Sequence, residues 1–407
     1  MSNFINSKLC DIIELLYGKS LPERSRIPGV YPVVGSGGIS GYHNSYLCEG
    51  PGIIVGRKGS IGTIQYIKEN YYPIDTVFFV KSKIKTIPIK YIYYLLTQLN
   101  LSSLNTDAAV PGLNRDVALS QNIKYIEKED EQEKIVSILS NYDDLIENNN
   151  KRIKILEEMA QKIYKEWFID FKFPSYETTT FKQTELGKIP SDWNSKPIGK
   201  LLGHQIGGGW GNEEQSDKYT ESAYVIRGAD IPNGRDGNIQ YCPLRYHTKS
   251  NIKTRLLQAN DIVFEVSGGS KGQPVGRALL LNKNLFNQFN DNVICASFCK
   301  LLRTDTKQIL PEIVYLHLLN IYNSGEIEKY QTQSTGIINF KFTFFLESEQ
   351  ILVPSNNIQE LFKKIIVPIF DEISLLGYKN QTLKQTRDLL LPRLISGEID
   401  VEKLEIL

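Results

Sequence analysis

The forty-two residues Asp130–Phe171 contain neither proline nor glycine. Leu139, Ile146, Ile153, Ala160 and Trp167 recur at intervals of seven, and Tyr142, Asn149, Leu156 and Ile163 form a second row three residues on. Two rows at this spacing are the a/d seam of a helix that must meet another helix along its length. Asn149 stands in that seam. A polar residue there costs stability and fixes register.

The stretch Gln359–Ser396 carries the same pattern. Ile366, Ile373, Asn380 and Arg387 form one row; Ile369, Leu376, Leu383 and Leu390 form the other. A constant offset of 227 residues maps Leu139 on Ile366, Tyr142 on Ile369, Asp144 on Asp371, Leu156 on Leu383 and Ile163 on Leu390. The chain therefore reads as a globular unit followed by a long helix, twice. Two ordinary amphipathic helices, each buried against its own globular neighbour, would show part of this. Length, period and matching order favour a shared antiparallel coiled coil. Pro368 and Pro392 interrupt the second pattern. Pro368 reads as a first-turn residue or a kink and Pro392 as an end or bend, so the second helix is expected to be the shorter.

At 407 residues, with 41% hydrophobic and 23% charged residues, the chain has the makings of two or three ordinary globular domains. It contains no apolar run of eighteen and no charged-then-apolar leader pattern, which predicts a cytoplasmic protein. Cys10, Cys48, Cys242, Cys295 and Cys299 are odd in number and scattered. Neither a disulfide framework nor a zinc site is expected, and Cys295 and Cys299 read as core residues. Charge is divided unevenly. Residues 1–129 and 172–355 carry +4 and +2, while 130–171 and 356–407 carry −4 and −1. A bound polyanion would go to the globular parts, not the helices.

Residues 1–129 predict a helix or strand at Leu9–Leu16, a charged loop at Pro22–Gly29 and a strand at Tyr31–Val34. A turn-rich loop at Gly35–Tyr42, a buried strand at Gly52–Gly56 and further β pattern at Thr63–Ile67 and Asp75–Val80 follow. Ile89–Asn100 has helical period, Val110–Arg115 is a turn and Ile123–Ile126 a last strand. Lys172–Ser191 is an irregular connector. Beyond it Ile198–Leu202, Tyr224–Gly228, Asp261–Val266, Pro311–Tyr322, the Ser334–Phe340 turn and Ile351–Pro354 repeat the order, with a longer loop at Ile231–Thr248. Similar scaffolds with dissimilar loops suit the binding of two different things of one kind.

Arg57-Lys58-Gly59-Ser60 follows the buried strand. Free amides in such a turn and two cations suit a phosphate, and Arg can place two hydrogen bonds on a guanine edge. A solvated hairpin turn is the plain alternative. The loop at 35–41 lacks the Lys-Ser/Thr of a P-loop and reads as a turn. Trp210, in Gly-Gly-Gly-Trp-Gly, could stack, wedge or pack. Arg227, Arg235, Lys271, Gln273 and Arg277 fall in or beside second-unit loops, and Asn339 and Lys341 in its last turn. Taken singly, each reads as surface. There is no Walker A, HExxH or GxSxG motif, no metal-spaced His/Cys cluster, no nuclease Asp…Glu-x-Lys and no methyltransferase Asn/Asp-Pro-Pro-Tyr. His43, His204, His247 and His317 are isolated.

The stretch PGIIVGRKGSIG (Pro51–Gly62) with Gly35–Tyr42, the helix ending in Trp167-Phe168, and RDLLLPRLISGEI (Arg387–Ile399) resemble the specificity subunit of type I restriction–modification systems over essentially the whole chain. The second unit matches chiefly in layout. The resemblance implies an α+β fold: two similar mixed α/β target-recognition domains joined by two long antiparallel coiled-coil helices, an internal pseudo-two-fold repeat. The divisions expected are recognition domain 1 at 1–129, a central spacer helix at 130–171, a connector with recognition domain 2 at 172–355, and a distal helix with tail at 356–407. Each domain would read half of a bipartite, asymmetric DNA site. The helices would set the spacing and dock two methyltransferase subunits, with restriction/translocase subunits joining them. About 30 seam residues would span roughly 45 Å, on the order of one turn of duplex.

The chain itself would be non-catalytic and bind no cofactor, with AdoMet, ATP and Mg on partner subunits. Expected DNA-binding residues are Arg24, Arg26, Ser36, Arg57, Lys58, Ser60, Asn114, Arg115, Trp210, Arg227, Arg235, Lys271, Gln273, Arg277, Asn339 and Lys341. Expected partner-binding residues are Glu157, Met159, Lys162, Trp167, Phe168, Leu390, Arg393 and Leu394. The competing readings are a two-domain scaffold that binds no nucleic acid, and an enzyme with an unrecognised site.

Overall fold

The computed structural model describes residues 3–104, 112–269, 273–334 and 337–403. The chain divides into two compact units, Met1–Asp144 with Lys384–Leu407, and Leu145–Leu383. Two forty-residue helices, Glu129–Phe168 and Asn356–Ile395, contribute residues to both.

In the first unit, Gly52–Gly56 is buried along its whole length. A run without polar alternation demands cover on both faces. It pairs antiparallel with Val77–Ser82 and Ile64–Ile67, and Ile13–Tyr17 completes the sheet beyond Val77–Ser82. A second sheet sets Tyr31–Gly35 between Gly38–His43, antiparallel, and Tyr72–Pro73, parallel. Phe4–Lys8 pairs with Asn122–Ile126. Helix Ile89–Gln98 buries Tyr91, Ile92, Leu95 and Leu96, one face at helical spacing. The core takes in Ile135 and Leu139 from the first long helix and Leu391, Leu394 and Ile395 from the second.

The second unit repeats this topology. Leu202–Gly207, Cys299–Thr304, Ile262–Glu265 and Ala278–Leu280 form a four-stranded antiparallel sheet in that spatial order. Glu221–Ile226 lies between Leu244–His247, antiparallel, and Asn292–Cys295, parallel. Asn194–Pro197 pairs with Gln350–Val353, and helix Pro311–Asn323 takes the place of Ile89–Gln98. Every strand pairing of the first unit thus has its counterpart, with the same sense. Cys295 and Cys299 are buried, and burial pushes both thiols up, that of Cys295 to about 12.

The seam residues pack as their period predicts. Leu139, Ile146, Ile153, Ala160 and Trp167 are buried, as are Ile366, Ile369, Ile373 and Leu376. In the second unit the helices pair antiparallel. Asn149 donates to Asn380 at 2.9 Å, Asn380 to Asn150 at 2.8 Å and Arg152 to Glu372 at 2.6 Å, while Trp167 packs on Phe362 at 5.5 Å. In the first unit Arg387 donates to Asp143 at 2.7 Å. Asn380 thus links Asn149 and Asn150 across an otherwise apolar seam, and any sliding of one helix would separate them.

The second helix is not shortened by its prolines. It runs unbroken over 40 residues, as long as the first. Pro368 and Pro392 both lie on its exposed side. Water can satisfy the carbonyls they leave without partners, and the flanking Ile366 and Ile369 hold the packed face. Four further segments differ from expectation. Leu9–Leu16 is both helix and strand, breaking at Ile13. Gly38–His43 and Leu244–His247 are paired strands, not loop. The connector contains the hairpin Phe181–Thr184/Gly187–Pro190, and Gln331–Ser334/Ile337–Phe340 is a hairpin where a turn was expected. Short strands rich in Gly, Ser and charge carry little alternation, so their pairing is set by neighbours. Part of the Val110–Arg115 turn lies outside the described residues.

Candidate nucleic-acid interface

In the first unit the Gly-rich hairpin and the Arg57–Ser60 turn are joined. Thr63 Oγ1 donates to both Ser36 O, at 3.0 Å, and Ser60 O, at 2.9 Å. Gln65 Nε2 donates to Gly35 O and Ser36 O. Gly59 has φ 74°, and a Cβ there would sit 3.2 Å from Ser36 Oγ. Glycine lets the two turns meet. Lys58 and Ser60 are exposed, while Arg57 is half-buried and donates to Asp75 O at 3.2 Å. Its guanidinium lies 4.9 Å from the Tyr17 ring centroid, and that of Arg115 lies 5.7 Å from the same ring. Leu113 N donates to Arg57 O, tying these segments together. Arg26 donates to Ser40 O at 2.6 Å, and Arg24 is exposed. Asn114 has a structural task, accepting from Asp116 N and Val117 N to cap a short helix.

The second unit separates the expected residues into two sets. Arg227 makes a two-pronged pair with Asp230 at 2.8 and 2.7 Å. Arg277 does the same with Glu265 at 2.8 and 2.5 Å, where both partners are buried or nearly so. Arg235 donates to Ala278 O and shares a small pocket with Glu157 and Tyr315. All three arginines have partners within the unit, although the Arg227 side chain remains 39% exposed. Removing Glu265 from the buried Arg277 pair would cost several kcal/mol, so that arginine has a folding role. Asn339 accepts from Ser267 Oγ at 2.9 Å. Gln273 and Lys341 are exposed, and Lys271 lies outside the described residues. Trp210 is 41% exposed, with the Arg245 guanidinium 4.7 Å from its ring. Arg245 also pairs with Glu213 at 2.6 Å.

The residues expected to meet a partner subunit divide likewise. Met159, Lys162 and Arg393 are exposed, and Glu157 and Leu390 are partly buried. Burial pushes the Glu157 carboxyl up, Asp236 adds to this and Arg235 opposes it. Trp167, Phe168 and Leu394 are core instead. Phe168 packs on Phe362 at 4.7 Å and on Trp193 at 5.6 Å, and Leu394 is 1% exposed. The Trp-Phe pair closes the end of its own helix bundle rather than offering an aromatic surface.

Residues 1–158 match the family model described as the type I restriction modification DNA specificity domain. Over most of its length the chain is similar to type I restriction–modification specificity subunits. It is 28% identical over 338 residues to the type I restriction enzyme MjaIX specificity subunit of Methanocaldococcus jannaschii, covering 77% of this chain and 70% of that one. Identity to the HindI specificity subunit of Haemophilus influenzae is 25% over 397 residues, covering 81% of each. The crystal structure of the type I S subunit from M. genitalium shares the fold at a TM-score of 0.58 and 15% identity, covering 97% of this chain and 96% of that one.

Four side chains that the sequence did not single out belong to this candidate surface. Tyr17 and Arg245 are the ring and cation partners just described. Arg255 donates to Gly207 O at 3.0 Å, below the Trp210 loop, and Lys300 lies 4.8 Å from the Phe342 ring. Only their partners, distant in sequence, mark them. His317 is not isolated either. Its ring nitrogens meet Tyr164 Oη at 3.1 Å and Glu349 Oε1 at 2.9 Å, and Tyr330 donates to Glu349 at 2.5 Å. Burial pushes the Glu349 carboxyl up, but His317, Tyr330 and Lys329 outweigh it and bring it to about 2. This buried network ties the first long helix to Pro311–Asn323 and to Glu349, just ahead of the last strand. Among the described residues no group of His, Cys, Asp and Glu could hold a metal, and no helix is long and apolar enough to cross a membrane.

Proposed function

We propose that this chain is the non-catalytic, DNA-reading subunit of a cytoplasmic type I restriction–modification complex. Each unit reads one half of a bipartite, asymmetric site in double-stranded DNA. The helix pair sets the distance between the half-sites and docks two methyltransferase subunits, with restriction/translocase subunits joining that core. AdoMet, ATP and Mg belong to those partners, and this chain binds no cofactor. The observation that carries the reading is one strand topology present twice, with the same pairings and different loops, on antiparallel helices of equal length.

In the first unit Arg24, Arg26, Ser36, Arg57, Lys58, Ser60 and Arg115 supply the polar contacts, with Lys58 the best placed for a phosphate because it is exposed beside a glycine turn. In the second unit Trp210, Gln273 and Lys341 remain as surface groups. Arginine, lysine and amide side chains on loops suit base edges and phosphates, and phosphate contacts make affinity fall with salt. The test is duplex binding by the chain assembled with its methyltransferase subunit. Affinity should fall steeply between about 50 and 200 mM salt, and Lys58→Glu should weaken binding. Salt-independent affinity, or none, would favour a protein-binding scaffold. Methyl transfer or Mg-dependent cleavage by the chain alone would favour an enzyme.

A further inference from the structure

The two units share a crossover that sequence comparison hides. At the end of Ile13–Tyr17, Gly18 N donates to Val77 O at 3.2 Å and Lys19 N to Pro73 O at 3.0 Å. At the end of Leu202–Gly207, Gly208 N donates to Cys299 O at 3.0 Å and Gly209 N to Cys295 O at 2.9 Å. Val77 and Cys299 open equivalent strands; Pro73 and Cys295 close equivalent strands. A Cβ on Gly18 would lie 2.1 Å from Ile74 O, and one on Gly208 2.1 Å from Cys295 O. Glycine is required at both, because the backbones touch. Gly18 and Gly208 are therefore equivalent, although nothing around them aligns by identity.

An exposed aromatic stands beside each: Tyr17, 49% exposed, just before Gly18, and Trp210, 41% exposed, two residues after Gly208. Both rings carry an arginine, Arg57 with Arg115 on Tyr17 and Arg245 on Trp210. The arginines come from different elements, since Arg57 follows Gly52–Gly56 and Arg245 lies in Leu244–His247. Each crossover thus has a cation-backed ring close by, on opposite sides of its glycine in sequence and with a different ring type and cation source. Rings needed only for packing would be covered. Rings left half open and backed by a cation suit a duplex groove, where the ring can meet a thymine methyl or a sugar while the charge meets a phosphate.

We propose that Tyr17 and Trp210 are specificity-determining contacts to duplex DNA, one for each half-site, held in place by the Gly18 and Gly208 crossovers. This rests on the reading of the chain as a DNA-specificity subunit. The test uses the full chain assembled with methyltransferase subunits and a duplex containing its site, with single-base changes in either half. Tyr17→Leu keeps apolar contact with Phe78, 5.0 Å from the Tyr17 ring, and Trp210→Leu is its counterpart. Tyr17→Leu should weaken binding about tenfold, roughly the effect of removing one contact to a base edge, and blunt discrimination in one half-site alone. Trp210→Leu should do so in the other alone, and Tyr17→Phe and Trp210→Phe should restore most of it. Parental discrimination in both leucine variants would overturn the proposal, as would equal loss in both half-sites. If Lys58→Glu still weakens binding in that case, the DNA-reading function stands without it. If the parent assembly fails to bind the duplex, that function falls as well.

Discussion

Asn149 and Asn380 show how one pair can matter more for register than for energy. Each is buried and each is satisfied by the facing helix. Asn149→Ala leaves the Asn380 amide short of a partner and should destabilise the chain by about 1–3 kcal/mol. Replacing both with Leu should be nearly neutral or stabilising, because no buried amide is left unmet. Urea denaturation of the two variants checks this, and the order of their midpoints is the informative quantity. Glu349 makes a pH prediction. Its carboxyl titrates at about 2, below its ordinary 4.5, so the stability it contributes is complete above about pH 4.5 and is lost as pH falls through about 2. The shift corresponds to roughly 3 kcal/mol. Glu349→Gln should lower stability at neutral pH and flatten its decline between about pH 4.5 and 2, as read by thermal melts across that range.

At the scale of elements, the long helices are the most legible part of the chain and the second units' loops the least. A seven-residue period over forty positions leaves few alternatives, and the buried rows at Leu139–Trp167 and Ile366–Ile373 follow it. Pro368 and Pro392 misled because sequence does not say which face of a helix is wet. The partners of Arg227, Arg235 and Arg277 are not legible in the sequence, because a free loop arginine and one paired with Glu265 or Asp230 look alike until the partner is placed. Tyr17 escaped notice because its cations lie 40 and 98 residues away, at Arg57 and Arg115. The crossover glycines were invisible for the same reason. Gly18→Ala and Gly208→Ala should each destabilise by about 1–3 kcal/mol, since a new methyl meets backbone carbonyls that cannot retreat. Thermal denaturation of either variant checks this. Helix length has its own consequence. Four residues inserted at Asn148–Lys151, with four more at Tyr378–Gln381 to keep the amide pair facing, lengthen the spacer by about 6 Å. The gap between half-sites should widen by about two base pairs, as read by mapping the methylated site.

For the whole molecule, duplication would let one chain read an asymmetric target, as proposed above. Two copies of a fold with identical loops would favour a symmetric site. Here the strand pairings agree while the loops bear Arg57 and Arg115 around Tyr17 in one unit and Arg245 on Trp210 in the other. On the proposed reading, different side chains around the two equivalent crossovers suit different bases in the two halves. The most direct measurement is long-read mapping of methylated bases in a host that carries this chain with its methyltransferase subunit. The expected result is two unlike half-sites, separated by a fixed run of unspecified bases. In a chain with Met1–Glu129 taken from another specificity subunit, one half-site should change while the other and the gap persist. A single continuous or palindromic site, or a change in both halves on that exchange, would contradict the account.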